Sequence, residues 1–399
     1  MQSGRWQRTE IGYCSNVHAG ADASAVCANI QGPIREVREH RRLDRMATGL
    51  WLSAAAARSF AADIGQLREL LQKSHLNLQT LNGFPYGDFH QSRVKEAVYA
   101  PAWDHPARLA YTLDLARILD HCLPDDSDFG TISSLPLGFA SGWSAEREKI
   151  ALENLCRLAE GLARQADRSG RHLRVCIEPE PDCAIETTNQ VLRLFLDALP
   201  ATARRIGVAA DSVTKHLGIC LDVCHLAVQF EDPAAALVQF VEAGVSIGKL
   251  QVSNALLIEQ PDRPDLAALL VPFAEPRYLH QVRCRRPNGT IAGCIDLPAA
   301  LSDCAFPRDG PWRVHFHMPL QWAGAGGLST CAGAIGDVLD AMLHWPRPLP
   351  HLEVETYTWQ ILPPDRRPHD EAALTTCLAT ELYWLEQSLS VRGLLAISP

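Results

Sequence analysis

Arg174-Val-Cys-Ile-Glu-Pro-Glu-Pro181 and its echo Gly218-Ile-Cys-Leu-Asp-Val-Cys-His225 are short apolar runs that end in acids. A continuous apolar run of this length suits a strand buried on both faces, as in a parallel sheet. Carboxylates at the end of such a strand do nothing for packing. An ionised group at that depth is costly unless it is paired or binds a metal. Glu178, Glu180, Asp222 and His225 therefore mark strand ends that carry chemistry. A third copy, His351-Leu-Glu-Val-Glu-Thr-Tyr-Thr-Trp359, adds Glu353 and Glu355. Together these runs predict a barrel that gathers its strand ends around a divalent cation.

Outward from these runs, strand-like segments begin at Ile11, Gly49, Leu76, Thr131 and Gly248. Helical spacing lies between them, over Ala23 to His40, Ala54 to Lys73, His105 to Cys122 and Ala145 to Arg168. A further helix is expected from Ile185 to Ala198. Strand then helix, repeated about eight times, is the pattern of an α/β fold of the (β/α)8 TIM-barrel type. The chain reads as a single domain over 1–399. Trp312-Arg-Val-His-Phe-His317 makes one strand too many, so either it or the Gly49 strand lies outside the barrel. Val282 to Ile295, around Asn288-Gly289, predicts a β-hairpin inserted beside the barrel at about 278–297. Phe84 to Trp103 is long and aromatic, as lids and binding loops are, and holds Lys95 and Tyr99.

Composition bounds the function. The chain has 399 residues, 47% apolar and 21% charged, with a net charge of -9. That is an ordinary globular composition, and the acidic balance argues against nucleic acid as a partner. No apolar run is long enough for a membrane span. The N-terminus is polar and lacks the apolar core of a signal peptide, which predicts a cytoplasmic protein. The 13 cysteines are scattered without a CxxC pair and read as reduced core residues. A homo-oligomer is left open.

Active sites of such barrels form at the carboxyl ends of the strands. The candidates are Glu178, Glu180, Asp222, His225, Gln251, His315, His317, Glu353 and Glu355, on five successive strand-like segments. This oxygen-rich set suits Mn²⁺, Mg²⁺ or Co²⁺, with Zn²⁺ also allowed. Strands alternate, so one Glu of each pair is expected to face the metal and the other to point away. A lone histidine such as His315 serves packing as readily as binding. Tyr357 and Trp359 read as rim or packing residues. Asn82-Gly-Phe-Pro-Tyr-Gly87 either covers the site or is a plain turn.

At these residues the chain resembles the xylose isomerase-like TIM barrels, the sugar isomerase/epimerase superfamily. The resemblance implies metal ligands Glu178, Asp222 and Glu355, with Gln251 where the family has a histidine. Either Gln251 completes the set, or His315 or His317 does. Within the superfamily the chain looks most like the metabolite traffic proteins of the EboE type. That likeness is carried by Gly12-Tyr-Cys-Ser-Asn-Val-His18, Leu81-Asn-Gly-Phe-Pro-Tyr-Gly87, Val94-Lys-Glu-Ala-Val-Tyr99 and Val354-Glu-Thr-Tyr-Thr-Trp359. The resemblance implies isomerisation or epimerisation of a sugar, sugar phosphate or cyclitol through a metal-stabilised enediolate. Glu178 and Glu355 would move the proton. The substrate, a small polyhydroxylated metabolite, would meet His225, His315, His317, Asn82, Lys95 and Glu180. A metabolite-binding or traffic protein without turnover is the competing expectation.

Overall fold

Seven parallel strands follow one another in the first part of the chain: β1 (Ile11–Tyr13), β2 (Met46–Trp51), β3 (Leu76–Asn82), β4 (Phe129–Ser134), β5 (His172–Ile177), β6 (Leu217–Asp222) and β7 (Ile247–Val252). The chain then leaves to build a second sheet from β8 (Leu256–Ile258), β9 (Val282–Arg285), β10 (Ile291–Cys294), β11 (Trp312–Val314) and β12 (Ser329–Thr330). It returns as β13 (His351–Val354), which pairs in parallel with both β7 and β1. The order β1-β13-β7-β6-β5-β4-β3-β2 is closed by a parallel bridge between Cys14 and Gly49. The result is a (β/α)8 barrel with an antiparallel sheet inserted between its seventh and eighth strands. This computed structural model describes residues 4–345, 348–364 and 366–396.

The wall follows from local sequence. β6 and β7 are buried at every residue, as strands covered by helices on one side and by the barrel interior on the other must be. The longest helix, Ala145–Ser169, starts where the Ser144 hydroxyl accepts the Arg147 N–H, and has Glu146 and Glu148 in its first turn. It stops at Gly170, whose φ of 72° suits glycine. The helix expected from Ile185 begins at Thr188 instead, because the Thr187 hydroxyl caps the N–H of Gln190.

The extra strand is β11. Trp312, Arg313 and Val314 pair antiparallel with β8 on one side and β9 on the other, outside the barrel. The Gly49 segment is the barrel strand β2, and its glycine is required there. A Cβ at Gly49 would fall 1.4 Å from the Glu353 carboxylate. The hairpin of β9 and β10 forms around Asn288 and Gly289, with φ of +83° at Gly289. It belongs to a five-stranded sheet rather than standing alone.

The barrel interior is polar for much of its depth. Lys249 and Glu353 form an ion pair at 2.5 Å with side chains 0% and 1% exposed. Nearer the amino ends, the Thr131 hydroxyl donates to Thr80 at 2.9 Å and lies 2.8 Å from His351 Nδ1. The helices and the outer face of the wall supply the apolar packing, with Ile219, Leu250, Val175 and Leu155 among the fully buried residues.

Candidate active site

Four neighbouring strands, β5, β6, β7 and β13, deliver one acceptor or amide each to the carboxyl end of the barrel. Glu178 follows β5, Asp222 ends β6, Gln251 lies on β7 and Glu355 follows β13. Oxygens of Glu178, Asp222 and Glu355 lie within 4.8 Å of one another, and all three residues are buried. The Gln251 amide nitrogen sits at their focus. It donates to Glu178 Oε1 at 2.9 Å, to Asp222 Oδ2 at 3.4 Å and, closer still, to Glu355 Oε2. Glu178 Oε2 and Gln251 Oε1 are buried without a hydrogen-bond partner.

Two of the three carboxylates are oriented from behind. Asp222 Oδ1 accepts the backbone N–H of His225 at 2.9 Å and the Ser253 hydroxyl at 2.7 Å. Glu355 Oε1 accepts the Asn16 amide at 2.6 Å and the Asn82 amide at 3.2 Å. Burial, then repulsion from Glu355 and Asp222, pushes Glu178 well above the usual carboxylate range. Burial raises Glu355 to about 7, against the pull of His317 and with the push of Asp222. Asp222 is the exception. Burial opposes its ionisation, but the neighbouring imidazoles, the His225 N–H and the Ser253 hydroxyl outweigh it and hold it below its usual value. The cluster thus concentrates negative charge where burial disfavours it, which is the setting a bound cation relieves.

A narrow cavity of about 60 Å³ opens onto Glu178 and Glu355. Asn16, Asn82, Lys95, Glu180, His225, His315 and His317 are among its polar lining, and Phe84, Phe89, Tyr278 and Tyr357 are among its aromatic lining. Glu180 Oε1 accepts the Tyr99 hydroxyl at 2.7 Å, and burial raises the Glu180 carboxyl to about 8. Tyr357 stacks on His317 with centroids 4.7 Å apart. Lys95 lines the cavity, but its ammonium is turned to the Tyr278 carbonyl and to Asp296, each at 2.6 Å. That contact ties the Phe84 to Trp103 segment to the inserted sheet.

Two expectations need correction. The glutamates of each pair were expected to point opposite ways, yet Glu353 and Glu355 are both inside the barrel. Residues two apart share a face of a strand, and the pair differs in height. Glu355 is at the mouth with the carboxylate cluster, and Glu353 is one layer deeper with Lys249. Glu178 and Glu180 are likewise both buried against the cavity, two residues apart just past the end of β5. Secondly, His315 and His317 do not sit on a barrel strand. They follow β11 of the inserted sheet and reach the site from above, where their ring nitrogens meet that of His225.

Sequence reasoning missed Asn16, Ser253, Gln281 and Lys249. For Asn16 a signal existed, since it lies at the polar end of the first strand. Lys249 stands two residues before Gln251, hence on the same inward face. Gln281 is brought in by the inserted sheet, and nothing local marks it.

No family model matches the sequence, and comparison with curated proteins finds no match. Solved structures with a similar course include the IolI protein with a bound zinc atom, at 12% identity and a TM-score of 0.49, covering 96% of this chain and 98% of that one. Another is the apo 3-keto-D-glucoside 4-epimerase YcjR from E. coli, at 12% identity and a TM-score of 0.47, covering 95% and 99%. A third is a D-tagatose 3-epimerase-like protein, at 11% identity and a TM-score of 0.47, covering 96% and 98%. Likeness at this level concerns the course of the chain. The chemistry of the site rests on its own residues.

Proposed function

We propose that this protein is a divalent-metal-dependent isomerase or epimerase of a small polyhydroxylated metabolite: a sugar, sugar phosphate or cyclitol. The observation that carries the reading is the convergence of Glu178, Asp222 and Glu355 on one buried point beneath a polar and aromatic cavity. These residues fit a cation. The Gln251 amide nitrogen holds the central position that a positive charge would take, and its Oε1 is without a partner. For a cation to take that position the Gln251 side chain would have to withdraw. Its Oε1 would then be the fourth oxygen available beside Glu178, Asp222 and Glu355, a set of the kind Mg²⁺ or Mn²⁺ prefers. Such an ion would act as a Lewis acid toward neighbouring hydroxyl and carbonyl oxygens of the substrate.

The rest of the work falls to the chain. Glu178 and Glu355 are the pair placed to move a proton: one would take it from the C–H beside a carbonyl and the other would return one. Asp222, held ionised by its hydrogen bonds, stays an anion throughout. Asn16 and Asn82 fix the Glu355 carboxylate through its Oε1. Tyr99 restrains Glu180 at the cavity wall, where a hydroxylated substrate finds an acceptor. The aromatic lining of Phe84, Phe89, Tyr278 and Tyr357 shields the reacting centre from water.

One observation favours a second reading, a metabolite-binding or traffic protein of the EboE kind without turnover. As it stands, the Gln251 amide gives each of the three carboxylates a hydrogen-bond donor in the place a cation would take. Solvent exchange separates the two. Polyhydroxy ketones incubated with the protein and Mn²⁺ or Mg²⁺ in D₂O should take up deuterium at the carbon next to the carbonyl. Glu178→Gln should slow that uptake by about 10²–10⁴-fold. Saturable binding of the same compounds with no uptake under any metal would put the binding-protein reading in front.

A further inference from the structure

The three imidazoles of His225, His315 and His317 converge on one another by the same ring atom. Nε2 of His225 lies 3.1 Å from Nε2 of His315, which lies 3.1 Å from Nε2 of His317, and the triangle closes at 3.3 Å between His317 and His225. The opposite ring nitrogens decide what these approaches are. His225 Nδ1 is 2.9 Å from the Pro179 carbonyl, and His317 Nδ1 is 3.0 Å from the Glu355 carbonyl. A carbonyl oxygen only accepts, so both Nδ1 atoms carry the hydrogen. His315 Nδ1 is 2.7 Å from Gln281 Oε1. The orientation of that amide is set independently, because its nitrogen donates to the Pro181 carbonyl at 3.2 Å. All three rings are therefore Nδ1–H tautomers, and each aims an unprotonated Nε2 lone pair at the other two.

Three lone pairs at these separations repel, and none has a hydrogen to share. A single added proton would bridge one edge of the triangle only and leave the third lone pair unmet. A metal ion satisfies all three at once. Nitrogens about 2.0–2.1 Å from a common tetrahedral ion stand roughly 3.3 Å apart. The carbonyl and amide acceptors behind each Nδ1 are the usual partners that orient metal-bound histidines.

We propose that His225, His315 and His317 bind a zinc-class transition ion through Nε2, as a second metal centre beside the carboxylate cluster. An all-nitrogen tripod selects Zn²⁺ or Co²⁺ over the oxygen-seeking Mg²⁺ and Mn²⁺ suited to the carboxylates. All three histidines line the cavity, so the fourth coordination position faces it, as in zinc sites that bind water or a substrate oxygen. The ligand class is a hydroxyl, carboxylate or phosphate oxygen of the substrate. Asp222 lies between the two centres: a carboxylate oxygen is within 4.8 Å of a ring nitrogen of His225 and of His317, and one is within 4.8 Å of oxygens of Glu178 and Glu355. Cys224 is not needed, since its thiol is engaged with the Phe316 carbonyl at 3.3 Å. The inference does not depend on the isomerase reading, because the tripod is defined without reference to any substrate.

The test uses the full chain, stripped with a chelator, reloaded with Zn²⁺ and freed of excess metal by gel filtration. Elemental analysis should find about one equivalent of tightly held Zn²⁺ per chain, or more where the carboxylates also fill. X-ray absorption at the zinc edge should show an imidazole shell. His315→Gln and His317→Gln should each lose that equivalent and the imidazole signal, while Glu178→Gln keeps both. Absence of retained zinc in the wild type, an oxygen-only zinc shell, or equal loss from Glu178→Gln and His315→Gln would each overturn the proposal. Should the histidine variants fail to fold, the wild-type absorption spectrum decides alone. Zinc on imidazoles without deuterium uptake would defeat only the isomerase reading.

Discussion

Glu381 is a buried carboxyl on the C-terminal helix Glu371–Val391, 0% exposed, and its Oε1 accepts the Leu320 N–H and the Thr356 hydroxyl, each at 2.8 Å. Burial raises it to about 7, and those two hydrogen bonds only moderate the rise. The folded state therefore binds its proton more tightly than the unfolded chain does. Its contribution to stability is intact below an unfolded value near 4.5 and is lost as pH climbs through about 7. Glu381→Gln should therefore be the more stable protein at pH 8, by on the order of 2–3 kcal/mol, and gain little at pH 4.5. Urea melts of both proteins at the two pH values measure this. An equal gap at both would refute it. Lys249 and Glu353 test the opposite case, a buried pair whose charges answer each other at 2.5 Å. Lys249→Met strands the glutamate and should cost about 3–5 kcal/mol in denaturant unfolding, while Lys249→Met with Glu353→Leu should recover most of it. A loss below about 1 kcal/mol for the single variant would mean that the carboxylate finds relief elsewhere.

At the level of elements, the apolar runs leading to Glu178 and Asp222 were legible as strands because buried parallel strands need no alternation. The helix from Ala145 was legible because its cap and acidic first turn are local. β11 misleads for the same reason that β5 does not. Trp312-Arg-Val is strand-like, but whether a strand joins a barrel or a neighbouring sheet depends on its pairing partners, β8 and β9, which are distant in sequence. The inserted sheet and the Phe84 to Trp103 segment are held together by Lys95, through Asp296 and the Tyr278 carbonyl, and by Val94 N–H to the Arg277 carbonyl at 2.8 Å. Lys95→Met removes the ammonium and leaves Asp296 mostly buried with the His280 and Leu297 N–H groups to answer its charge. We expect a loss of roughly 2–4 kcal/mol and faster amide exchange across Val94 to Tyr99 than in the wild type. Unchanged exchange in that stretch would show that the aromatic packing of Phe89 on Tyr278 suffices, their rings being stacked with centroids 4.6 Å apart.

For the whole molecule, closure of the barrel is the event on which the site depends, because it places β13 between β1 and β7 and so brings Glu355 to Glu178 and Asp222. The β1–β2 seam is closed by the isolated bridge between Cys14 and Gly49. A Cβ on Gly12 would meet the Ala47 carbonyl oxygen at 2.5 Å, and a backbone atom in a parallel wall has nowhere to yield. Gly12→Ala should destabilise the protein by at least about 3 kcal/mol and lower its affinity for metal in parallel. Denaturant midpoints and metal titration measure the two effects. An unchanged midpoint would mean that the seam opens freely.

By itself the sequence determined that this is an α/β barrel and that acids crown its late strands, because burial period and strand-end chemistry are written in consecutive residues. Which glutamate of each pair joins the cluster was not legible from the runs themselves; only the resemblance to the xylose isomerase-like barrels pointed to Glu178, Asp222 and Glu355. Only the tertiary structure decided that Glu353 belongs to Lys249 rather than to the site, that Gln251 sits at the focus of three carboxylates, and that His315 and His317 descend from an inserted sheet to meet His225. These are relations between side chains tens to hundreds of residues apart. They are set by barrel closure and by strand height along the axis, and no local pattern of residues encodes them.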